Sequence, residues 1–546
     1  MDRADLTMPA RLSDGAPPRS QRAANHSGAG TTIMKLTLRA ALAATFGLVA
    51  GALTAGLPAA AEPVKVAIDS GVLVGSASGD VISFKGVPYA AAPVASLRWA
   101  PPRRSAAWTG ERNAQAYGPI CPQKLNANGL PNEGGASGAS SEDCLFLNVW
   151  TPRGASRAPV MVWLHGGGNT AGAGSLGAYD GSAFVRDGVI LVSINYRLGA
   201  LGFFAHPALT KAAGPDEPLV SYGIMDQIAA LQWVKRNIAA FGGDPANVTL
   251  FGESAGGGDT LTLMATPSAA GLFAKAIVES GGGWSPPVTL AKREAQGVAL
   301  ALQAGAPADA TAERLRAIPV EALLALPPFQ AGPAVDGRLM MESPSQAFAY
   351  GHVFHVPLMI GSNSYEASLM KTFNAPPAAV IGMATPALLA AYADQLTDED
   401  KARALFTDGF MGAPAHWIAG KASRNPSWLY HFSYVVDAQR DTLPGAGHAS
   451  EIPFVFDSWD TLGVVGMGIK PTANDLAVTR LVHSCWVAFA KVGVPTCSGG
   501  VVWPAYTSAA DTLIDFDSAA TLKAGFRKPQ YAAQEAAVLP TLGLGQ

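Results

Sequence analysis

The sequence predicts an α/β fold on a large, mostly parallel sheet flanked by helices, and three observations carry that prediction. The apolar run Val248-Thr249-Leu250-Phe251 leads into Gly252-Glu253-Ser254-Ala255-Gly256. A G-x-S-x-G pentapeptide between a strand and a helix makes a turn so tight that small residues must flank the serine. Upstream, Val160-Met161-Val162-Trp163-Leu164 reads as a second buried strand and runs into His165-Gly166-Gly167-Gly168. Between them, Val189-Ile190-Leu191-Val192-Ser193-Ile194 is nearly all apolar, as a strand covered on both faces should be. Strands alternating with helices imply parallel pairing through right-handed crossovers. In such sheets a site lies beyond the carboxyl ends of the strands, where both glycine motifs fall.

Taken in order, the chain begins with a segment, 1–33, rich in Pro, Ser, Gly and isolated Arg, which is expected to be a disordered extension. Residues 34–61 read as a signal peptide. Lys35 and Arg39 supply the positive end, residues 40–57 an apolar stretch, and Pro58-Ala59-Ala60-Ala61 a small-residue cleavage site. The expectation is therefore a secreted or periplasmic protein with no stable membrane span after cleavage. Residues 62–546 are expected to form one catalytic domain. Short strands are read at 64–68 and 72–74, then at 84–90, 147–150 and 160–164. Residues 224–241 carry Ile228, Leu231, Val234 and Ile238 at helical spacing, and Gly242-Gly243-Asp244-Pro245 stops that helix before the elbow strand. Further strands are read at 276–278, 358–360 and 429–432. The Ala-rich stretches 286–347 and 375–422 read as helical cap insertions over the sheet.

The chain has 546 residues, 49% of them hydrophobic, with a net charge of −3. That balance offers no basic field for nucleic acid and points to a small-molecule partner; it is silent on oligomeric state. Four cysteines suit an oxidising compartment. Cys121 and Cys144 bracket a Gly-, Ser- and Asn-rich stretch that a bridge would hold, worth roughly 3 kcal/mol by chain entropy. Cys485 and Cys497 could pair, or Cys485 could be a buried thiol in an apolar helix.

The chemistry follows from the two glycine motifs. A glycine run after a strand supplies backbone N–H groups for an oxyanion, and it accompanies the nucleophile elbow in serine hydrolases. A serine needs a histidine base oriented by a carboxylate, with chain order Ser, acid, His. Of His416, His431, His448 and His483, only His448 lies in a flexible loop, Pro444-Gly445-Ala446-Gly447-His448; the others read as structural. Glu366, one short turn after a strand, is the candidate acid, although spacing alone favours a solvated loop carboxylate. No metal or organic cofactor is called for, and His352 and His355 lack acidic or cysteine partners in the sequence.

Longer motifs then carry a resemblance. Phe84-Lys85-Gly86-Val87-Pro88-Tyr89-Ala90 with Leu97-Arg98-Trp99, then Glu142-Asp143-Cys144-Leu145-Phe146-Leu147-Asn148-Val149, Asn195-Tyr196-Arg197-Leu198-Gly199, and 251–257 are similar to signatures of the type-B carboxylesterases. The likeness covers nearly everything after Glu62. It implies the α/β-hydrolase fold, ester hydrolysis through an acyl-enzyme, Ser254 as nucleophile, Glu366 as acid and His448 as base. It also implies oxyanion donors at Gly167, Gly168 and Ala255, a Cys121–Cys144 bridge, and structural ion pairs Arg98–Glu142 and Arg197–Asp226. Asn169, Thr170 and Glu253 are the candidate pocket residues. Asn169 stands where the family usually has an aromatic residue, which predicts room for a bulky or polar acyl group, a fumonisin-type ester among the candidates. The alternative is that its side chain bonds its own turn. Between Cys121 and Cys144 there is no aromatic residue to receive a quaternary ammonium. The rival readings are a non-catalytic adhesion protein of the same fold, which the intact Ser254, Glu366 and His448 disfavour, and a lipase acting on aggregated substrate.

Overall fold

Strands β6 (Ala158–Leu164) and β8 (Gly243–Glu253) lie side by side and parallel, with Leu164 opposite Gly252. Both glycine motifs therefore leave the sheet at one level. Around this pair the computed structural model, which describes residues 62–327, 330–422, 424–461 and 468–544, builds a 13-stranded sheet among those residues. Strands β1 (Glu62–Ile68), β2 (Gly71–Ser78), β3 (Val81–Pro88) and β5 (Phe146–Pro152) form an antiparallel ribbon, with β4 (Glu111–Asn113) added beside β2. The parallel part runs β7-β6-β8-β9-β10-β11-β12, through β7 (Ile190–Ile194), β9 (Lys275–Glu279), β10 (Leu358–Asn363), β11 (Ser427–Phe432) and β12 (Thr512–Phe516). An antiparallel β13 (Ala520–Ala524) closes the edge. This is the α/β-hydrolase arrangement. Chain order reverses across β6, so the crevice between β6 and β8 is the topological switch point.

The strands read as they do because period-2 alternation feeds two separate cores. Val160, Val162, Leu164, Leu250, Val278 and Ile360 pack on one face. Met161, Trp163, Phe251, Ile277 and Met359 pack on the other, against the helix Ala473–Val492. The long helix Tyr222–Asn237 ends through a tighter turn at Ile238–Phe241 and a left-handed Gly242. Pairing of the next strand already begins at Gly243, earlier than the stop signal Gly242-Gly243-Asp244-Pro245 suggested, because Gly243 sits opposite Ala158 before the register shifts. Cap helices occupy both expected insertions, including Leu290–Gln303, Asp398–Thr407 and Ala413–Lys421.

Both ion pairs implied by the resemblance are present. The Arg197 fork meets Asp226 with two contacts of 2.7 Å, both side chains almost wholly enclosed. Arg98 meets Glu142 at 2.6 Å and also donates to the carbonyls of Arg316 and Ile318. Cys121 is bridged to Cys144, and Cys485 to Cys497, which resolves the alternative left open for the second pair. His352, read as lacking an acidic partner, is bonded to Glu342 at 2.8 Å; a single carboxylate on an exposed histidine is a surface pair. Among the described residues no helix is long and apolar enough to cross a membrane. The extension 1–33 and the signal segment 34–61 lie outside the described residues.

Candidate active site

Ser254 follows β8 directly and has φ +56°, ψ −122°, a strained turn that opens the helix Ala255–Met264. The flanking glycines are needed for approach: a Cβ on Gly256 would collide with the Leu164 carbonyl, and one on Gly252 would stand 2.6 Å from Gly256. The Ser254 N–H donates to the Glu279 carbonyl at 2.9 Å, tying the elbow to the end of β9. The glycine loop after β6 turns back on itself. Thr170 and Ala171 N–H groups both donate to the Gly167 carbonyl at 3.0 Å, and Gly167 has φ +100°. Its base is held by the first disulfide loop: Gln123 Oε1 accepts from the Gly172 N–H and Nε2 donates to the Gly172 carbonyl, each at 2.8 Å.

Glu366 and His448, the candidate acid and base, arrive from loops that follow β10 and β11. Glu366 is fully buried, not a solvated loop carboxylate. Its Oε1 accepts from Ser280 Oγ at 2.5 Å and from the Asn363 N–H at 2.7 Å, while Oε2 meets His448 Nδ1 at 2.6 Å. A carboxylate can only accept, so Nδ1 carries a proton, and Nε2 is the nitrogen free to accept one when the ring is neutral. The two loops are laced together: Tyr365 bridges to Gly447, the Ala446 N–H donates to Ser364 Oγ, and the His448 N–H donates to Ser368 Oγ, both at 2.9 Å. His416, His431 and His483 each bond a carboxylate elsewhere, Asp511, Asp515 and Asp187, in keeping with structural roles.

Three more buried glutamates surround this pair, a feature the sequence reading missed apart from Glu253. Glu253 Oε1 lies 3.0 Å from His448 Nε2. Glu451 accepts from Asn363 Nδ2, and Glu279 from Trp486 Nε1 at 2.7 Å. Burial pushes all three carboxyls up, Glu253 to about 8 and Glu451 to about 7. Burial alone would lower His448, but the charges of Glu253 and Glu366 outweigh it and hold the imidazole up at about 10. Asn169 is buried with φ +58°, and its Nδ2 donates to Asp259 Oδ1 at 3.1 Å. Its side chain thus turns toward the elbow helix and does not bond its own turn. Thr170 is exposed, with its hydroxyl on the Gly167 carbonyl.

The family profile described as "Carboxylesterase family" matches residues 62–534. Over 489 residues the chain is 35% identical to the para-nitrobenzyl esterase of Bacillus subtilis (strain 168), covering 83% of this chain and 94% of that protein. It is 34% identical over 460 residues to the fumonisin B1 esterase of Sphingopyxis macrogoltabida, covering 78% and 82%. A solved PNB esterase superposes with a TM-score of 0.76 at 33% identity, over 86% of this chain and 99% of that one. A carboxylesterase from Geobacillus stearothermophilus gives 0.75 at 31%, over 87% and 99%. With the profile spanning the whole sheet and both glycine motifs, the chain belongs to the type-B carboxylesterase family and is a carboxylic ester hydrolase.

Proposed function

We propose that the ester is cleaved in two acyl-transfer steps by Ser254, His448 and Glu366. The observation that supports this reading most is the Glu366 Oε2–His448 Nδ1 contact of 2.6 Å, with the other carboxylate oxygen fixed by two donors. His448 Nε2 takes the Ser254 proton as Oγ attacks the carbonyl carbon. The imidazolium is stabilised by Glu366, and the tetrahedral oxyanion is met by the N–H groups of Gly167, Gly168 and Ala255. His448 then returns the proton to the leaving alkoxide, and the alcohol departs. Water attacks the acyl-enzyme by the same route, releasing the acid and restoring Ser254. Glu253, whose Oε1 lies 3.0 Å from the same Nε2, and Glu451 act on this proton path through their charge.

For the acyl group, we propose a bulky or polar acid. A small Asn169 stands beside the glycine run in place of the family's usual aromatic, and one similar protein is named for fumonisin B1. A panel of p-nitrophenyl esters of varied acyl length, with carboxylated acyl groups included, tests the scope. Ser254→Ala tests the chemistry: a folded variant with no turnover and no labelling by an organophosphate is expected. Normal turnover in that variant would remove Ser254 as the nucleophile.

A further inference from the structure

Between the glycine loop and the elbow helix lies a buried carboxylate that the chemistry above does not use. Asp259 is 1% exposed and sits in the second turn of Ala255–Met264, where it is the one charged side chain. Its Oδ2 accepts from Gln227 Nε2 at 2.6 Å, and Gln227 is fully enclosed in the helix Tyr222–Asn237. Its Oδ1 accepts from Asn169 Nδ2 at 3.1 Å. Among the described residues no Lys or Arg forms an ion pair with it. Burial raises its carboxyl to about 6 against the pull of the two amides. A charge enclosed without a cation is costly unless its hydrogen bonds are good, so the placement asks for a reason.

The reason lies in what the carboxylate joins. Asn169 is the residue after Gly168, in a left-handed conformation, and its carbonyl accepts from the Gly199 N–H at 2.7 Å. Asp259 is in the helix whose first residue is Ala255. One side of the carboxylate therefore grips the loop that carries Gly167 and Gly168, and the other grips a neighbouring helix, while its own backbone continues from the third donor. We infer that Asp259 is a positioning residue of the oxyanion hole: through the amides of Asn169 and Gln227 it fixes the separation of the Gly167 and Gly168 donors from Ala255. The inference rests on the reading of those three N–H groups as the oxyanion donors.

Asp259→Ala cuts both bonds and leaves two buried amides facing a void. A misplacement near 1 Å at a catalytic group costs about 100-fold, so kcat should fall by about that factor, with KM little changed. Affinity for a trifluoromethyl ketone, which forms a tetrahedral adduct on Ser254, should fall in parallel with kcat/KM. Asp259→Asn should recover most of kcat, because its amide can still accept from one partner and donate to the unpartnered Asn169 Oδ1 or Gln227 Oε1. Asn169→Ala should reproduce the Asp259→Ala loss, and the double variant should lose no more than either single one. Folding is checked by circular dichroism and Tm. If Asp259→Ala does not fold, Asn169→Ala decides. Wild-type kcat in whichever of these folds, additive losses in the double variant, or an Asp259→Asn no better than Asp259→Ala would each overturn the inference. An unaltered enzyme that hydrolyses no ester overturns the catalytic reading and the inference together. An active enzyme indifferent to Asp259 overturns the inference alone.

Discussion

Glu366→Gln isolates the tautomer of the base from its position. The substituted amide is nearly the same size as the carboxylate, so packing is kept, but its two ends are no longer equivalent. Ser280 Oγ and the Asn363 N–H both donate to the Oε1 position, at 2.5 and 2.7 Å. Two donors there will hold the amide oxygen, so the amide nitrogen must face His448 Nδ1. That nitrogen donates, Nδ1 is forced to accept, and the ring proton moves to Nε2, where it blocks removal of the Ser254 proton. The equivalent acid-to-amide change in a Ser-His-Asp enzyme costs about 10⁴ in kcat, or ~5.5 kcal/mol of barrier. A loss of that order is expected here, with KM nearly unchanged and Tm within a few degrees of the unaltered enzyme. Steady-state kinetics on p-nitrophenyl butyrate, with a Tm measured on the same sample, provide the assay. A loss below tenfold would mean that another carboxylate orients His448, and the assignment of Glu366 would fall.

Two further outcomes follow from the buried charges. The Glu253 and Glu366 carboxylates raise His448, which serves as a base only when unprotonated, so kcat/KM should rise with pH through a limb above the ordinary imidazole range. Glu253→Gln removes one of those charges and should move the limb to lower pH in a full pH–rate profile; a limb that stays put or moves upward refutes the electrostatic account. Arg197→Ala strands Asp226 in the core and should cost about 3–5 kcal/mol in urea unfolding. A cost under about 1 kcal/mol would show that the pair is not what holds this part of the fold.

The glycine motifs were legible because tight turns leave few residue choices: Gly252 and Gly256 face contacts that a Cβ would not survive. The parallel core was legible because its strands alternate between two apolar faces. His448 was legible in its glycine-rich loop and Glu366 only as one candidate acid, their pairing being implied by resemblance, since the lacing that unites them, Tyr365 with Gly447 and Ser364 with Ala446, spans some eighty positions. Strands β4 and β12 escaped notice because each is short and takes its place from a long-range partner, β4 from β2 and β12 from β11, and β13 because it is a short hairpin arm that depends on β12. Asp259 had a local signal that went unread: a lone acid in the otherwise uncharged run Ala-Gly-Gly-Gly-Asp-Thr-Leu-Thr-Leu-Met. Glu279 and Glu451 had none, because an acid at a strand end or in a loop looks solvated until the helices around it are known.

The levelled strand ends set out in the sheet register have a consequence for how such a scaffold diversifies. Leu164 stands opposite Gly252, Gly252 opposite Val278, Gly361 opposite Glu279, and Asn363 opposite Phe432. The glycine loop, the elbow and the turn that carries Glu366 thus leave the sheet at matched levels of one ladder, where a slip of one residue would displace a strand end by about 3.3 Å and invert its side chain. The cap insertions hang between β9 and β10 and between β10 and β11, and their length does not enter that register. Insertion length and strand register are therefore separate variables in this architecture: helices can be added or removed between these strands without moving the ends from which the glycine motifs leave the sheet.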